Sequence, residues 1–221
     1  YRDGELLAKQ SEPLYEEKDL EWNTTYVYKI NSIDSDDLEG VDYVDSITTH
    51  PEVTAPVFKL KGEVNSVSLS WDPIPGMDGK YKIFRNGGNI ADLDAFEFID
   101  PVTPGIEYCY TVAAEDIHKT VGPDAEIKCG KGYFAPPGNF TGRVLRNNTA
   151  FNWEPVLAAS GYRLYRDNEL ILDTPDVTEY VDENLEFDKE YTFEICSYDQ
   201  DADEGPRIPY PVTTHEEVLA T

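Results

Sequence analysis

Apolar and polar side chains alternate with a period of two along most of this chain. Val67, Leu69 and Trp71 alternate with Ser68 and Ser70, and Tyr108, Tyr110 and Val112 with Cys109, Thr111 and Ala113. Tyr191, Phe193 and Ile195 alternate with Thr192, Glu194 and Cys196, and Tyr26, Tyr28 and Ile30 show the same pattern near the start. This period predicts half-buried antiparallel strands, one face on a core and one in water. No stretch carries the 3.6-residue stripe of an amphipathic helix. Turn signals such as "NGG", "GMDG", "APPG" and "DEGP" punctuate the apolar runs.

The pattern repeats. The phrase "YRDGELL" begins at Tyr1, "FRNGGNI" at Phe84 and "YRDNELI" at Tyr165, spacings of 83 and 81 residues. A second landmark, Tyr26, Tyr108 and Tyr191, gives 82 and 83. Several short strands within a unit of this length predict an all-β chain of tandem two-sheet sandwiches.

Three recurring features resemble the fibronectin type III family. They are Trp71-Asp72-Pro73 and Trp153-Glu154-Pro155, the motif running from Tyr81 and Tyr162 into the repeated phrase, and an apolar residue six places before the repeated Tyr (Leu20, Val102, Leu185). The resemblance covers essentially the whole chain. It implies tandem immunoglobulin-like β-sandwiches in which Trp71 and Trp153 bridge the two sheets. It also implies that Tyr26, Tyr108 and Tyr191 are tyrosine-corner residues, each hydroxyl bonded to upstream backbone. All five are structural in that reading.

The expected division is residues 1–53 as the C-terminal half of one such domain, 54–132 as a second domain, and 133–221 as a third with a tail. The joints "THPEVTAP" and "CGKGYFAPP" are short and contain Pro, which predicts a semi-rigid rod. The tail "TTHEEVLAT" echoes "TTHPEVTAP" and predicts a further unit. A half-sandwich leaves an apolar face open. Two expectations follow: the sequence is a piece of a longer array, or strands of another copy complete the unit by strand complementation over Tyr26, Tyr28 and Ile30.

Charge narrows the partners. The chain has 44 acidic and 18 basic side chains, a net charge of −26. Such a field repels nucleic acid and anionic lipid, and no apolar run approaches the roughly 18 residues of a membrane span. Other protein modules, copies of itself and carbohydrate remain as partners.

Catalytic chemistry finds no support. His50 and His215 recur at equivalent places after the last strand of a unit, and His118 stands alone. No nucleophile elbow, zinc-protease motif or phosphate-cradling glycine loop occurs, so the chain is not expected to be an enzyme. No cofactor is required.

Calcium is the best chemical candidate. "DQDADEG" supplies Asp199, Asp201 and Asp203, and "DSDDLEG" supplies Asp34 and Asp36 in the equivalent loop. Alternating carboxylates suit a hard cation, although the EF-hand spacing of Gly and the final Glu is absent. The competing reading is an ordinary acidic hairpin tip.

Cys109 and Cys129 flank a hairpin centred near residue 119 and could face each other as a disulfide, which fits an extracellular or cell-surface setting. Cys196 has no evident mate. Trp22 and Phe187 precede the corner Tyr and are expected to pack beneath that turn; an exposed aromatic there would instead contact a module or a sugar ring. Asn23, Asn139 and Asn147 head N-glycosylation patterns.

The leading expectation is therefore a non-catalytic extracellular structural or adhesion module, acting as a spacer, stalk or surface-filament segment. The alternative is a carbohydrate-binding or accessory module of a secreted polysaccharide-degrading enzyme.

Overall fold

In the computed structural model, residues 1–216 are described, and they hold sixteen strands and no helix. The expected continuation through "TTHEEVLAT" falls largely outside the described residues. Unit one contributes β1 (Thr25–Ile30) and β2 (Tyr43–Thr48). Unit two contains β3 (Phe58–Glu63), β4 (Ser66–Trp71), β5 (Gly79–Arg85), β6 (Gly88–Leu93), β7 (Glu97–Pro101), β8 (Glu107–Asp116) and β9 (Lys128–Lys131). Unit three contains β10 (Thr141–Leu145), β11 (Asn148–Asn152), β12 (Gly161–Arg166), β13 (Glu169–Thr174), β14 (Glu179–Asp182), β15 (Glu190–Tyr198) and β16 (Ile208–Thr213).

Each complete unit pairs three strands against four. Unit two has β3-β4-β7 and β6-β5-β8-β9; unit three repeats this as β10-β11-β14 and β13-β12-β15-β16. The alternating residues fill the space between the sheets. Phe58, Val67, Leu69 and Trp71 from one sheet meet Tyr81, Ile83, Tyr110 and Val112 from the other. Phe151 and Trp153 meet Tyr162, Leu164, Phe193 and Ile195 in unit three. Burying each large apolar side chain stabilises by about 1.5–3 kcal/mol, which makes these faces the main driving force.

The repeated phrase is one structural device used three times. Its central pair has positive φ: Asp3 and Gly4 at 50° and 92°, Asn86 and Gly87 at 51° and 80°, Asp167 and Asn168 at 50° and 71°. This is the type I′ turn that matches strand twist, and Asn, Asp and Gly are the residues that tolerate it. The first turn residue also ties the hairpin to the neighbouring strand. The N–H of Asp3, Asn86 and Asp167 donates to the carbonyls of Val27, Cys109 and Thr192 at 2.8–2.9 Å. The same side-chain oxygens accept the N–H of Val27, Cys109 and Thr192 at 2.8–3.0 Å. Residues 1–2 thus lie antiparallel beside β1, with Lys29 N–H donating to the Tyr1 carbonyl at 3.0 Å.

The Arg of the phrase has its own partner. Arg85 in β5 reaches across the sandwich to Asp100 in β7, with Nη1 at 2.9 and 3.1 Å from the two carboxylate oxygens. The Tyr110 hydroxyl donates to the same carboxylate at 2.8 Å. Unit one repeats the triad with Arg2, Glu17 and Tyr28, the last donating to Glu17 at 2.9 Å. Unit three keeps Arg166 on Asp182 at 2.8 Å, but Phe193 stands where the Tyr would be. No sequence motif singles out a role for these arginines.

Of the corner residues, Tyr26 and Tyr191 accept the N–H of Glu21 and Glu186 at 3.0 and 2.9 Å. Tyr108 departs from that expectation. Its hydroxyl makes no hydrogen bond among the described residues, and its ring instead lies under the Arg85 guanidinium at 5.2 Å. The residue five places earlier is Thr103, and Pro104 behind it biases Thr103 to an extended backbone. Instead, Gly105 N–H donates to the Gly132 carbonyl at 2.9 Å. Two other tyrosines do a similar task without having been expected. Tyr81 and Tyr162 accept the N–H of Ile74 and Val156 at 3.0 and 2.7 Å, closing the loops after the Trp-x-Pro motifs.

Cys109 and Cys129 are directly opposed in the β8–β9 register and form a disulfide. Closing a loop of this size constrains the unfolded chain by about 3 kcal/mol. Reduction by dithiothreitol is therefore expected to lower the melting temperature of unit two by several degrees, read by calorimetry, with unit three unmoved. A thermogram identical in both redox states would contradict this. Cys196 is fully buried, and burial pushes its thiol up to about 12, so it is a packing residue and not a reactive thiol.

Candidate functional site

The two hairpins that carry the candidate calcium residues, and their counterpart in unit two, share one backbone design. Asp34, Asp116 and Asp199 open them, and each Oδ1 accepts two backbone N–H groups. Asp34 takes those of Asp36 and Leu38, both at 2.9 Å. Asp116 takes His118 and Thr120 at 2.9 and 2.8 Å, and Asp199 takes Asp201 and Asp203 at 2.9 and 3.0 Å. The left-handed residue falls at Asp37, Lys119 and Ala202, with φ of 60°, 70° and 64°. This is the local backbone bonding that favours Asp at hairpin tips.

The glycine of these loops also has a structural reason. A Cβ on Gly122 would stand 2.5 Å from the Val53 carbonyl oxygen, and one on Gly205 only 2.2 Å from that of Phe134. Val53 and Phe134 are the buried joint residues, 81 positions apart. In units two and three the hairpin therefore lies against the backbone of the joint that precedes its unit, and Gly is what lets the two segments touch.

At the joint between units two and three, the carboxylates converge on an ammonium. Lys131 Nζ lies 2.6 Å from Asp199, 2.9 Å from Asp201 and 2.7 Å from Asp203. Burial disfavours the charge on Lys131, but the three carboxylates outweigh it and hold the pKa well above the ordinary lysine value. Burial also opposes ionisation of Asp199, yet Lys131 and the two N–H groups win, and its carboxyl sits below the usual range. The three carboxylates expected to suit a hard cation thus share the ammonium of Lys131. Ser197 Oγ adds a bond to the Ala135 carbonyl at 3.0 Å, fastening the joint to β15.

The rest of the β15–β16 hairpin is stiffened by Glu204. It accepts from the Tyr165 hydroxyl, from Arg163 Nη1 at 2.9 Å and from Arg207 Nη2 at 3.0 Å. Although burial raises it, these donors drive its pKa down to about 2.

The other candidates are spread out. Asp34 and Asp36 belong to the unit-one hairpin, where Lys9 Nζ reaches Asp37 at 3.1 Å. Among the described residues, the one grouping of three potential metal ligands is Glu107, Cys109 and Cys129, and the disulfide engages both sulfurs. Trp22 is 54% exposed, contrary to the expected packing under its turn, and Phe187 is half-buried. That turn is held through polar groups instead: the Thr24 hydroxyl donates to the Trp22 carbonyl at 2.9 Å and the Tyr26 hydroxyl accepts the Glu21 N–H at 3.0 Å. Tyr26 and Tyr28 are half-buried beside Arg2 and Glu17, while Ile30 is 69% exposed. A groove of about 490 Å³ runs beside it, lined in part by Leu6, Tyr15, Tyr28 and Tyr43.

No protein-family model and no curated protein matches the chain. Solved structures do. A two-domain fibronectin type III segment of chicken tenascin is 18% identical, covering 72% of this chain and 99% of that one with a TM-score of 0.46. The FN1-FN3 domains of chicken CNTN1 are 17% identical, with 90% and 80% covered and a TM-score of 0.36. The central fibronectin-III array of RIM-binding protein is 15% identical, with 76% and 71% covered and a TM-score of 0.34. The units of this chain have a fibronectin type III-like fold. The three-on-four strand order established above is what carries that statement. Among the described residues no helix is long and apolar enough to cross a membrane.

Proposed function

We propose that these fibronectin type III-like units form a non-catalytic extracellular spacer or adhesion segment, whose task is to hold successive sandwiches at a set distance and angle. The observation that carries this reading is the joint: in both complete units the hairpin crosses the preceding linker at a buried apolar residue, Val53 or Phe134. Interfaces between domains of one chain ordinarily permit relative motion; a crossing that excludes a Cβ restrains it. The Cys109–Cys129 disulfide supports an oxidising compartment.

Further modules of the same kind are the partners in this reading. In unit two, β3 and β4 cover Tyr110 and Val112, and strands of that type suit the open face around Ile30 and Ile47 in unit one. Small-angle scattering of the whole chain tests the proposal. A maximum dimension and Kratky profile of a stiff rod support it. A profile of independently tumbling units sinks it.

The exposed Trp22 favours a second reading, carbohydrate binding, since a planar indole in water suits a sugar face. Affinity electrophoresis in insoluble and soluble polysaccharides would show retardation that Trp22→Ala abolishes. Equal mobility with and without polysaccharide removes this reading.

A further inference from the structure

The two joints place corresponding side chains face to face. At the second, Lys131 from the linker meets Asp201 from the hairpin at 2.9 Å. Counting back by the repeat, 81 residues from Lys131 and 83 from Asp201, gives His50 and His118. These also meet: their ring centroids are 4.1 Å apart with the planes tilted by 48°. The same backbone device thus delivers opposite charges at one joint and two imidazoles at the other.

Both imidazoles are presented on fixed backbone. The His50 carbonyl accepts the Asn23 N–H at 2.9 Å, tying it to unit one. Three residues on, Val53 is part of the unit-two core. His118 is held by its N–H on Asp116 at 2.9 Å, at the tip of the β8–β9 hairpin. Both rings are exposed, so their nitrogens are open to a solute.

Two imidazoles have no charge complementarity of the Lys131–Asp201 kind. A shared ion supplies it. Imidazole nitrogens bind zinc at about 2.0–2.1 Å, so one ion can join two rings whose centroids lie within about 6 Å. The observed separation is inside that reach, and both rings are exposed, so each can turn about its side-chain bonds to offer one nitrogen to a shared ion. The net charge of −26 concentrates cations around the chain.

We propose that His50 and His118 form a two-histidine site for a borderline divalent transition-metal ion, represented by Zn2+, which latches the joint between units one and two. The imidazoles select such an ion over calcium, which takes oxygen ligands. Water or a neighbouring carboxylate completes the coordination. The proposal rests on the joint geometry and stands apart from the question of spacer or sugar binder.

Titration of the whole chain with Zn2+ in a non-chelating buffer, read by calorimetry, tests it. One saturable equivalent is expected, weakened at least tenfold in His50→Gln and in His118→Gln. His215→Gln, which alters the third histidine, leaves it unchanged. Both rings are on the surface, and melting curves of the variants check that the fold is retained. Absence of saturable binding overturns the proposal. So does binding of equal strength in the His50→Gln and His118→Gln variants, which would place the ion on the acidic surface.

Discussion

Replacing Asp100 with Ala is expected to destabilise unit two by about 3 kcal/mol, the lower end of the range for removing one partner of a buried ion pair. The Asp100 side chain is 8% exposed, and Arg85 keeps 32% of its side chain in water, so the arginine recovers part of its hydration. The Tyr110 hydroxyl does not. It is fully buried and loses its one acceptor, and an unsatisfied buried donor costs about 1–3 kcal/mol. Unit three supplies an internal control. Asp182→Ala frees Arg166 in the same way, but Phe193 has no hydroxyl to strand, so the loss there is expected to be about 1–2 kcal/mol smaller. Urea unfolding followed by calorimetry resolves the two units. Equal losses in the two variants would show that the tyrosine bond contributes nothing, and a shift below about 0.5 kcal/mol in Asp100→Ala would show that the pair is hydrated.

This triad shows where sequence reasoning stopped. The period-two alternation and the spacing of 81 to 83 residues are local or repetitive signals, and they carried the strands, the cores and the sandwich class. Arg85 and Asp100 are fifteen residues apart in the chain and on different sheets, so nothing local links them. A signal did exist: Arg2, Arg85 and Arg166 recur with Glu17, Asp100 and Asp182 at the same period. An acid that keeps step with a base over three units marks a contact. The acidic hairpins carry a comparable signal. Gly40, Gly122 and Gly205 recur even in the unit-two hairpin, which lacks the acidic cluster, so the glycine had to answer to something other than an ion. In units two and three its reason is the joint backbone, while Gly40 stands against Ser32 of its own hairpin. Tyr108 shows the opposite limit: its repeated position does not carry the repeated hydroxyl bond, because Pro104 stands in its turn.

Replacing Lys131 with Met, which keeps the length of the side chain and removes its charge, is expected to loosen the joint between units two and three by about 3 kcal/mol. The three ion pairs do not contribute equally. Asp201 and Asp203 are 62% and 55% exposed, and pairs of that kind are each worth at most about 1 kcal/mol. Asp199 is 5% exposed, and without Lys131 its charge is buried with only backbone N–H groups to compensate. Lys131→Met and Asp199→Asn are therefore expected to be costly, and Asp201→Asn and Asp203→Asn mild. Asn at position 199 retains the oxygen that caps the turn, so its effect reports the charge.

The pH dependence has a definite sign. The Asp199 carboxyl titrates below its unfolded value of about 3.9. The stabilisation is accordingly present above that value and disappears as the pH falls through the lower, folded one. The joint should stay closed from neutral pH down to about pH 4 and open only below it. Small-angle scattering of the four variants across that range gives the test, with an increase in radius of gyration as the readout. If Lys131→Met scatters like the parent at neutral pH, apolar contacts at Phe134 hold the joint and the ammonium is incidental to it.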